Sequence, residues 1–424
     1  MKIHRGWFIL MISILNLLAC LGFGRFSLGA IIPFMKEGLQ LTYSEVGMMT
    51  SGVFLGYLVG ALTVGYVLKW ISVKTVILTG LTMLAGGMLY SSVVYNFLSA
   101  YLACLLIGFG SGSANVTSLS LVGRWFSTKY RGKALGIANS GIGFGMVISG
   151  FLVPYLMIIH PTEGWRISWG LLAVAVIVII LINFFFLVES PEKIGLESIG
   201  SQGALQVNIE KQKDESSGYM IKNIYTDKMI WIIGGIYLAW GFSYLIFTTF
   251  FVDYLINEIL IDKKIAGQFF ATAGVASIFS GFIWGSISDR MGRMKALFFI
   301  CFIQASLLLA FTFTTSHALL YGETVLYALT LWGVPTVIIA TITVYTEVKT
   351  TSIAIGFITL FFGIGQWVSP MVTGYLIDLF NSYTVAIYVS AAVCYTGSLV
   401  CIYAHRRHMR LKNNVVTEKG IPAK

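Results

Sequence analysis

The sequence predicts an all-α polytopic membrane protein, with twelve transmembrane helices arranged as two pseudo-symmetric six-helix bundles. Three observations carry that prediction. Of 424 residues, 57% are apolar and 11% charged, against about 25% charged in a soluble protein. The apolar residues gather into twelve continuous runs, each near the ~20 residues that cross a hydrocarbon core of ~30 Å. Short motifs also recur at a spacing near 220 residues. Soluble enzymes, disordered chains and disulfide-rich secreted modules are excluded, because a chain this long and this apolar would expose more greasy surface than water tolerates.

In order, the runs cover residues 7–35, 44–68, 75–94, 97–122, 134–159 and 167–188. A polar stretch over 189–228 follows, with seven acids and five lysines. Six more runs cover 229–252, 265–288, 296–315, 318–345, 352–377 and 383–405. A β-barrel also satisfies its backbone in lipid, but it would show alternating strands of about 10 residues. These runs are continuous and twice as long. The organisation that follows is an N-terminal six-helix bundle (1–190), a cytoplasmic linker (191–228), a C-terminal six-helix bundle (229–405) and a cytoplasmic tail (406–424). The middle of the linker, 200–218, reads as disordered.

A net charge of +10 raises the question of nucleic acid. Of the 28 Lys and Arg, only Lys36, Arg166, Lys263 and Lys264 fall in outer loops, and Arg25 falls inside a run. All the others share the side of the N-terminus, which the positive-inside rule makes cytoplasmic. The basic charge is therefore a topology signal and no nucleic-acid partner is implied. The reading is a multi-pass monomer of a bacterial inner (plasma) membrane, with both termini cytoplasmic.

Several patterns are decoys. Leu17-Leu18-Ala19-Cys20 resembles a lipoprotein cleavage box, yet its apolar run continues to Met35, so an uncleaved first helix is expected. Cys20, Cys104, Cys301, Cys394 and Cys401 all lie in apolar runs without CxxC spacing and read as packing residues. The glycine clusters 108–112 and 141–145 have no preceding strand and no following Gly-Lys-Ser/Thr, so they read as close helix contacts and not phosphate loops. The five histidines form no zinc-like cluster. No metal, no cofactor and no catalytic constellation is implied.

The repeat is more informative. Gly65-Tyr66-Val67-Leu68-Lys69 and Gly285-Ser286-Ile287-Ser288-Asp289 are offset by 220, as are Ala134-Leu135-Gly136 and Ala354-Ile355-Gly356. Gly143 and Gly145 pair with Gly363 and Gly365 at the same offset, and Gly22-Phe23 pairs with Gly241-Phe242 at 219. Together they point to duplication of a six-helix unit, the architecture in which two halves rock about a central site. Gly52, Gly56 and Gly60 form a small-residue face on the second helix, and Gly281 and Gly285 on the eighth. Sliding between halves and static packing both remain open for these faces.

These features resemble the major facilitator superfamily. Gly285-Ser286-Ile287-Ser288-Asp289-Arg290-Met291-Gly292-Arg293-Met294-Lys295 is similar to its cytoplasmic G-x-x-x-D-R-x-G-R-x-K signature. Gly22-Phe23-Gly24-Arg25-Phe26, Pro33, Tyr43-Ser44-Glu45-Val46-Gly47 and Gly56-Tyr57-Leu58-Val59-Gly60 resemble the YbfB/YjiJ branch. The resemblance covers essentially the whole chain and implies a secondary transporter working by alternating access. It also implies that helices 1, 4, 7 and 10 line the path, and that Asp289, Arg290, Gly292 and Arg293 form a conformational gate. The alternative reading of that cluster is a topology anchor. The sequence departs from the pattern at residues 65–74, where Lys69 replaces the usual Asp, so the gate does not carry over to the first half. The Gly-Pro pair of drug/proton antiporters is also missing from the fifth helix.

Arg25 is the one cation far from both ends of its run, 18 residues past Trp7 and 10 before Met35. Placing an unpaired cation there costs at least about 2.5–3.5 kcal/mol. Two readings stand: Arg25 binds an anionic substrate, a carboxylate, in a water-filled cavity, or it is structural and pairs with helix-end carbonyls or an acid such as Asp253 or Glu323. Further substrate-binding candidates are Asn16 (read onto the Arg25 face of the first helix), Asn115, Asn139, the aromatic stripe Tyr237, Trp240 and Tyr244, and Gln366. Interhelical hydrogen bonding and lipid-facing packing are the alternatives for each. Proton-coupling candidates are Asp253, Glu323 and Glu45; symport by the substrate's own carboxylate, exchange and uniport stay open. The leading function is transport of a small organic anion. An exporter of amphipathic or drug-like compounds and a non-transporting membrane sensor are the rivals.

Overall fold

The computed structural model describes residues 4–201, 224–346 and 350–418. Among them are twelve helices long and apolar enough to cross a membrane. They are α1 (Arg5–Leu39), α2 (Tyr43–Val67), α3 (Val73–Ser92), α4 (Phe97–Trp125), α5 (Lys129–Ile159) and α6 (Gly164–Phe186), then α7 (Lys228–Asn257), α8 (Lys263–Met291), α9 (Arg293–Phe313), α10 (His317–Tyr345), α11 (Ile353–Phe380) and α12 (Tyr383–Glu418). The described residues hold no strand, only one isolated bridge between Phe126 and Ile199. Helix ends depart from the apolar runs by a few residues in both directions, and polar caps fix where several helices start. Thr42 and Glu45 form a reciprocal capping box at the start of α2, and Asn96 with Ser99 does the same for α4. Most of the linker segment expected to be disordered, from 202 on, and residues 419–424 of the expected tail lie outside the described residues. Residues 406–418 of that tail continue α12.

The described helices fall into two compact units. The first spans Met1–Glu210, Leu245–Ile278 and Trp367–Ala386, and the second Lys211–Tyr244, Phe279–Gln366 and Ile387–Lys424. Within each, glycines at matching repeat positions make the same kind of helix crossing. In the first unit a Cβ on Gly22 would lie 2.8 Å from the Gly145 Cα, and one on Gly145 would run into the Gly22 backbone. In the second unit a Cβ on Gly241 would lie 2.8 Å from the Phe362 carbonyl, and one on Gly365 would run into that of Leu238. So α1 meets α5 as α7 meets α11, backbone on backbone, a contact only glycine permits. Gly52, Gly56 and Gly60 pack against Tyr101, Leu105 and Phe109 of α4, and Gly281 faces Thr336 of α10.

Two helices change their winding. α1 is π-helical over Leu18–Phe26 and α7 over Ile246–Phe250. Such turns concentrate at functional sites, and the one in α1 contains Arg25.

The chain leaving α6 is pinned to the first unit. Trp125 Nε1 donates to the Val188 carbonyl (3.1 Å), and Ile199 exchanges hydrogen bonds with the Trp125 carbonyl (2.9 Å) and the Ser127 amide (3.0 Å). Lys74 Nζ donates to the Phe184 carbonyl at 2.7 Å. Glu189 accepts from the Lys74 amide (3.1 Å), at the positive N-terminus of α3, and from Lys193. Partial burial pushes the Glu189 carboxyl up, but hydrogen bonds from Lys193, Ser72 and the Lys74 amide outweigh it and hold it at about 2, below its ordinary 4.5.

Two outcomes are expected. Gly22→Val, which forces α1 and α5 apart, should destabilise the protein by about 1–3 kcal/mol in thermal unfolding in detergent, whereas Gly86→Ala, with nothing within 4 Å of its Cβ, should be neutral. Glu189→Gln should lower the melting temperature at neutral pH. A depressed carboxyl stabilises above its unfolded value and loses that contribution as pH falls through the folded one. The gap between wild type and variant should therefore narrow as pH drops from 4.5 towards about 2.

Candidate substrate site

Arg25 is 7% exposed. Its guanidinium carbon lies 4.6 Å from the ring centres of both Phe54 and Tyr57, one turn apart on α2, and 5.7 Å from Phe26. A desolvated cation over an aromatic face gains about 2 kcal/mol or more, which offsets much of its insertion cost. Tyr57 accepts a hydrogen bond from Asn115 Nδ2 of α4 at 2.7 Å. Asn115 is 3% exposed, and its Oδ1 accepts no hydrogen bond among the described residues. Arg25, Tyr57 and Asn115 thus form one polar constellation from α1, α2 and α4. The sequence singles out Arg25 and Asn115; the structure adds Phe54 and Tyr57 beside them. The signal was Gly56, where a Cβ would run into the Leu105 carbonyl of α4; that close approach carries Tyr57 to Asn115.

Asn16 goes elsewhere. It is fully buried, bonds Asn183 of α6 in both directions (3.1 and 2.7 Å) and donates to Ser118 of α4 at 3.1 Å. Nine residues are two and a half α-turns, which places Asn16 opposite Arg25 in a regular helix, and the intervening π-helical turn alters the phase again. Asn139 is exposed on α5.

In the second unit the expected stripe exists as a buried stack. Trp240 lies nearly parallel to Tyr244 at 4.5 Å, Phe362 of α11 covers Tyr237 at 4.5 Å, and Tyr237 and Trp240 are 5.9 Å apart. Gln366 Nε2 donates to the Tyr244 hydroxyl. Trp240 Nε1 is buried without an acceptor among the described residues. At the repeat offset of 219, Tyr244 occupies the position of Arg25.

At the signature, Asp289 pairs with Arg293 of the next turn at 3.3 Å, and the Asp289 side chain is 67% exposed. A solvated pair of this kind contributes about 0.3–0.5 kcal/mol. Gly292 has φ +94°, a left-handed value that lets α9 start with only this residue between it and the end of α8. Arg290 is exposed. Of the three acids, Glu45 serves the α2 capping box, Glu323 accepts from Thr314 at 2.7 Å, and Asp253 is fully buried.

The superfamily profile described as Major Facilitator Superfamily matches residues 14–348 and 261–422. The chain belongs to this superfamily and is a multi-pass membrane transporter. Its relatives include a hexuronate transporter of Bacillus subtilis, 22% identical over 89% of this chain and 90% of that protein. A probable sulfoacetate transporter of Cupriavidus necator is 23% identical, covering 89% of each chain. A probable L-galactonate transporter of Escherichia coli is 21% identical over 90% of this chain and 86% of that one. Among solved structures, an inward-facing, occupied bacterial homologue of the lysosomal transporter Spinster superposes with a TM-score of 0.76 at 13% identity, covering 96% of this chain and 98% of that one. A D-xylose–proton symporter gives 0.72 at 14% identity, with 94% and 97% coverage.

If Asn16 serves packing alone, Asn183→Leu should cost about 1–3 kcal/mol by leaving the buried Asn16 amide short of partners. The double variant Asn16→Leu/Asn183→Leu should then cost less than the two singles added together, read by thermal unfolding.

Proposed function

We propose that this chain is a secondary active transporter that carries a small organic anion, a carboxylate, across a bacterial inner membrane. It alternates access between an N-terminal half (1–190) and a C-terminal half (229–405), with both termini cytoplasmic. The observation that carries the reading is Arg25: a cation seven parts in a hundred exposed, on a π-helical turn, set against the rings of Phe54 and Tyr57, the latter bonded in turn to the buried Asn115. A guanidinium is a planar fork of N–H donors that matches a carboxylate two bonds at a time, which makes this buried arginine the group proposed to recognise the anion. Asn115 and Tyr57 are the proposed hydroxyl contacts in the same half. Tyr237, Trp240, Tyr244 and Gln366 are proposed, by themselves, as substrate-binding residues of the second unit, and Asn139 as a further polar one. The relatives named for hexuronate, sulfoacetate and L-galactonate transport favour the same ligand class. The narrower kinship is proposed to be the YbfB/YjiJ branch, on the motifs around Arg25, Tyr43 and Gly56.

The test is calorimetric titration of purified protein with a panel of hexuronates, aldonates and short sulfonates. Wild type should bind at least one, and Arg25→Ala should bind it about 10- to 100-fold more weakly, the equivalent of a lost charge-assisted pair of about 1.5–3 kcal/mol. Arg25→Lys should recover only part of the affinity. Undiminished binding of the anion by Arg25→Ala would sink the assignment and favour the amphipathic-exporter reading, in which Arg25 is structural.

A further inference from the structure

Resting on the reading of the chain as an alternating transporter, we propose that Asp253 is a proton-binding site that loads as α2 and α12 close over it at the outer end of α7.

The site is built from four helices of one compact unit. Asp253 is fully buried one turn from the end of α7. Its Oδ1 accepts from Asn257 Nδ2 at 2.6 Å, and its Oδ2 accepts from the Tyr383 hydroxyl at the start of α12. The Tyr383 hydroxyl in turn lies 3.0 Å from that of Tyr43, the first residue of α2. Tyr43 is half-buried, so the row of oxygens runs from the solvent edge to a carboxylate that water does not reach. Asp378 of α11 holds Tyr43 in place, accepting from the Tyr43 and Ser44 amides at 2.9 and 2.6 Å.

The charged and titratable groups around Asp253 are few. Lys36 of α1 lies over the Tyr43 ring at 4.0 Å. Glu258 of α7 is engaged by Ser382 (2.7 Å) and the Tyr383 amide (3.3 Å). Lys263 of α8 lies over Phe34 at 5.3 Å. Among the described residues, no cation comes within ion-pair distance of Asp253. An ionised carboxylate buried with two neutral donors and no counter-ion is poorly compensated, whereas the same group in water is well solvated. Closure therefore favours the protonated acid and opening the carboxylate.

The proton inventory balances in both states. The Tyr383 hydroxyl is placed to donate either to Asp253 or to Tyr43; with Asp253 ionised its one proton goes to the carboxylate, and the Tyr43 hydroxyl turns to donate to Tyr383. A proton arriving on Tyr43 from water lets Tyr43 pass its own to Tyr383, and Tyr383 its own to Asp253. Each hydroxyl ends with one proton and Asp253 has gained one. It then donates to Tyr383, Tyr383 donates to Tyr43, and Tyr43 donates to water. The row exists only while Tyr43 meets Tyr383, so proton binding and closure are one event. Acid on that side should hold the outer end shut.

The experiment uses nitroxide labels on Glu37→Cys and Lys264→Cys, both exposed beside this cluster, in full-length protein in liposomes; the native cysteines are buried. Pulsed electron-spin distances are recorded as pH is lowered. The short-distance population should grow as pH falls, with the slope of a single proton. Asp253→Asn, which mimics the protonated acid, should hold the short distance at every pH. Tyr383→Phe, which removes a donor to the carboxylate, should move the midpoint to higher pH and carries the test if Asp253→Asn does not fold. No pH response in wild type, an unchanged response in Asp253→Asn, or closure as pH rises would each overturn the proposal. Arg25→Ala should keep the full pH response even where anion binding is lost, so failure of the anion reading and failure of this one are told apart.

Discussion

A hydrocarbon core offers no hydrogen bonds, so every polar group carried into it must find its partner inside the protein. The backbone meets that demand by staying helical, and the twelve helices follow. The side chains meet it in three ways. Serines and threonines turn back to their own helix, as Thr50 does to the Val46 carbonyl at 2.9 Å. Asn16 and Asn183 satisfy one another across helices. Arg25 uses a third way, resting its charge on the rings of Phe54 and Tyr57. The third places a full charge against aromatic faces, which separates Arg25 from the neutral buried polar residues of its half.

The glycines serve the same constraint from the other side. Between helices, lipid is as apolar as leucine, so helix pairs hold by close van der Waals approach rather than by expelling water. Gly22 against Gly145 in one unit, and Gly241 and Gly365 against α11 and α7 in the other, reach that approach at corresponding places. Duplicated glycines therefore mark duplicated crossings. The two halves differ in what lies three residues beyond: Arg25 in the first and Tyr244 in the second. A shared scaffold thus carries different chemistry.

Composition and run length made the helices legible, because membrane thickness dictates both. The repeat made the glycine crossings legible, and isolation within an apolar run singled out Arg25. What escaped depends on pairings distant in sequence. Asn115 meets Tyr57 across 58 positions, and Asp253 meets Tyr383 across 130. The π-helical turn in α1 has no residue code, since its wider winding is set by the neighbours it must fit. A nine-residue spacing is a half turn out of phase in a regular helix, so Asn16 does not share the Arg25 face and meets Asn183 and Ser118 instead. Trp240 was legible as an aromatic stripe, yet its stacking under Phe362 came only with the fold.

The bond from Asp378 to α2 has a consequence for how such proteins diverge. The carboxylate grips the amides of Tyr43 and Ser44, not their side chains. Any residue but proline presents the same amide. Positions 43 and 44 are thus free to drift without loosening this hold, while position 378 is not. Mutual substitution between the two sites, the usual trace by which contacts are inferred from diverged sequences, would leave no mark of it.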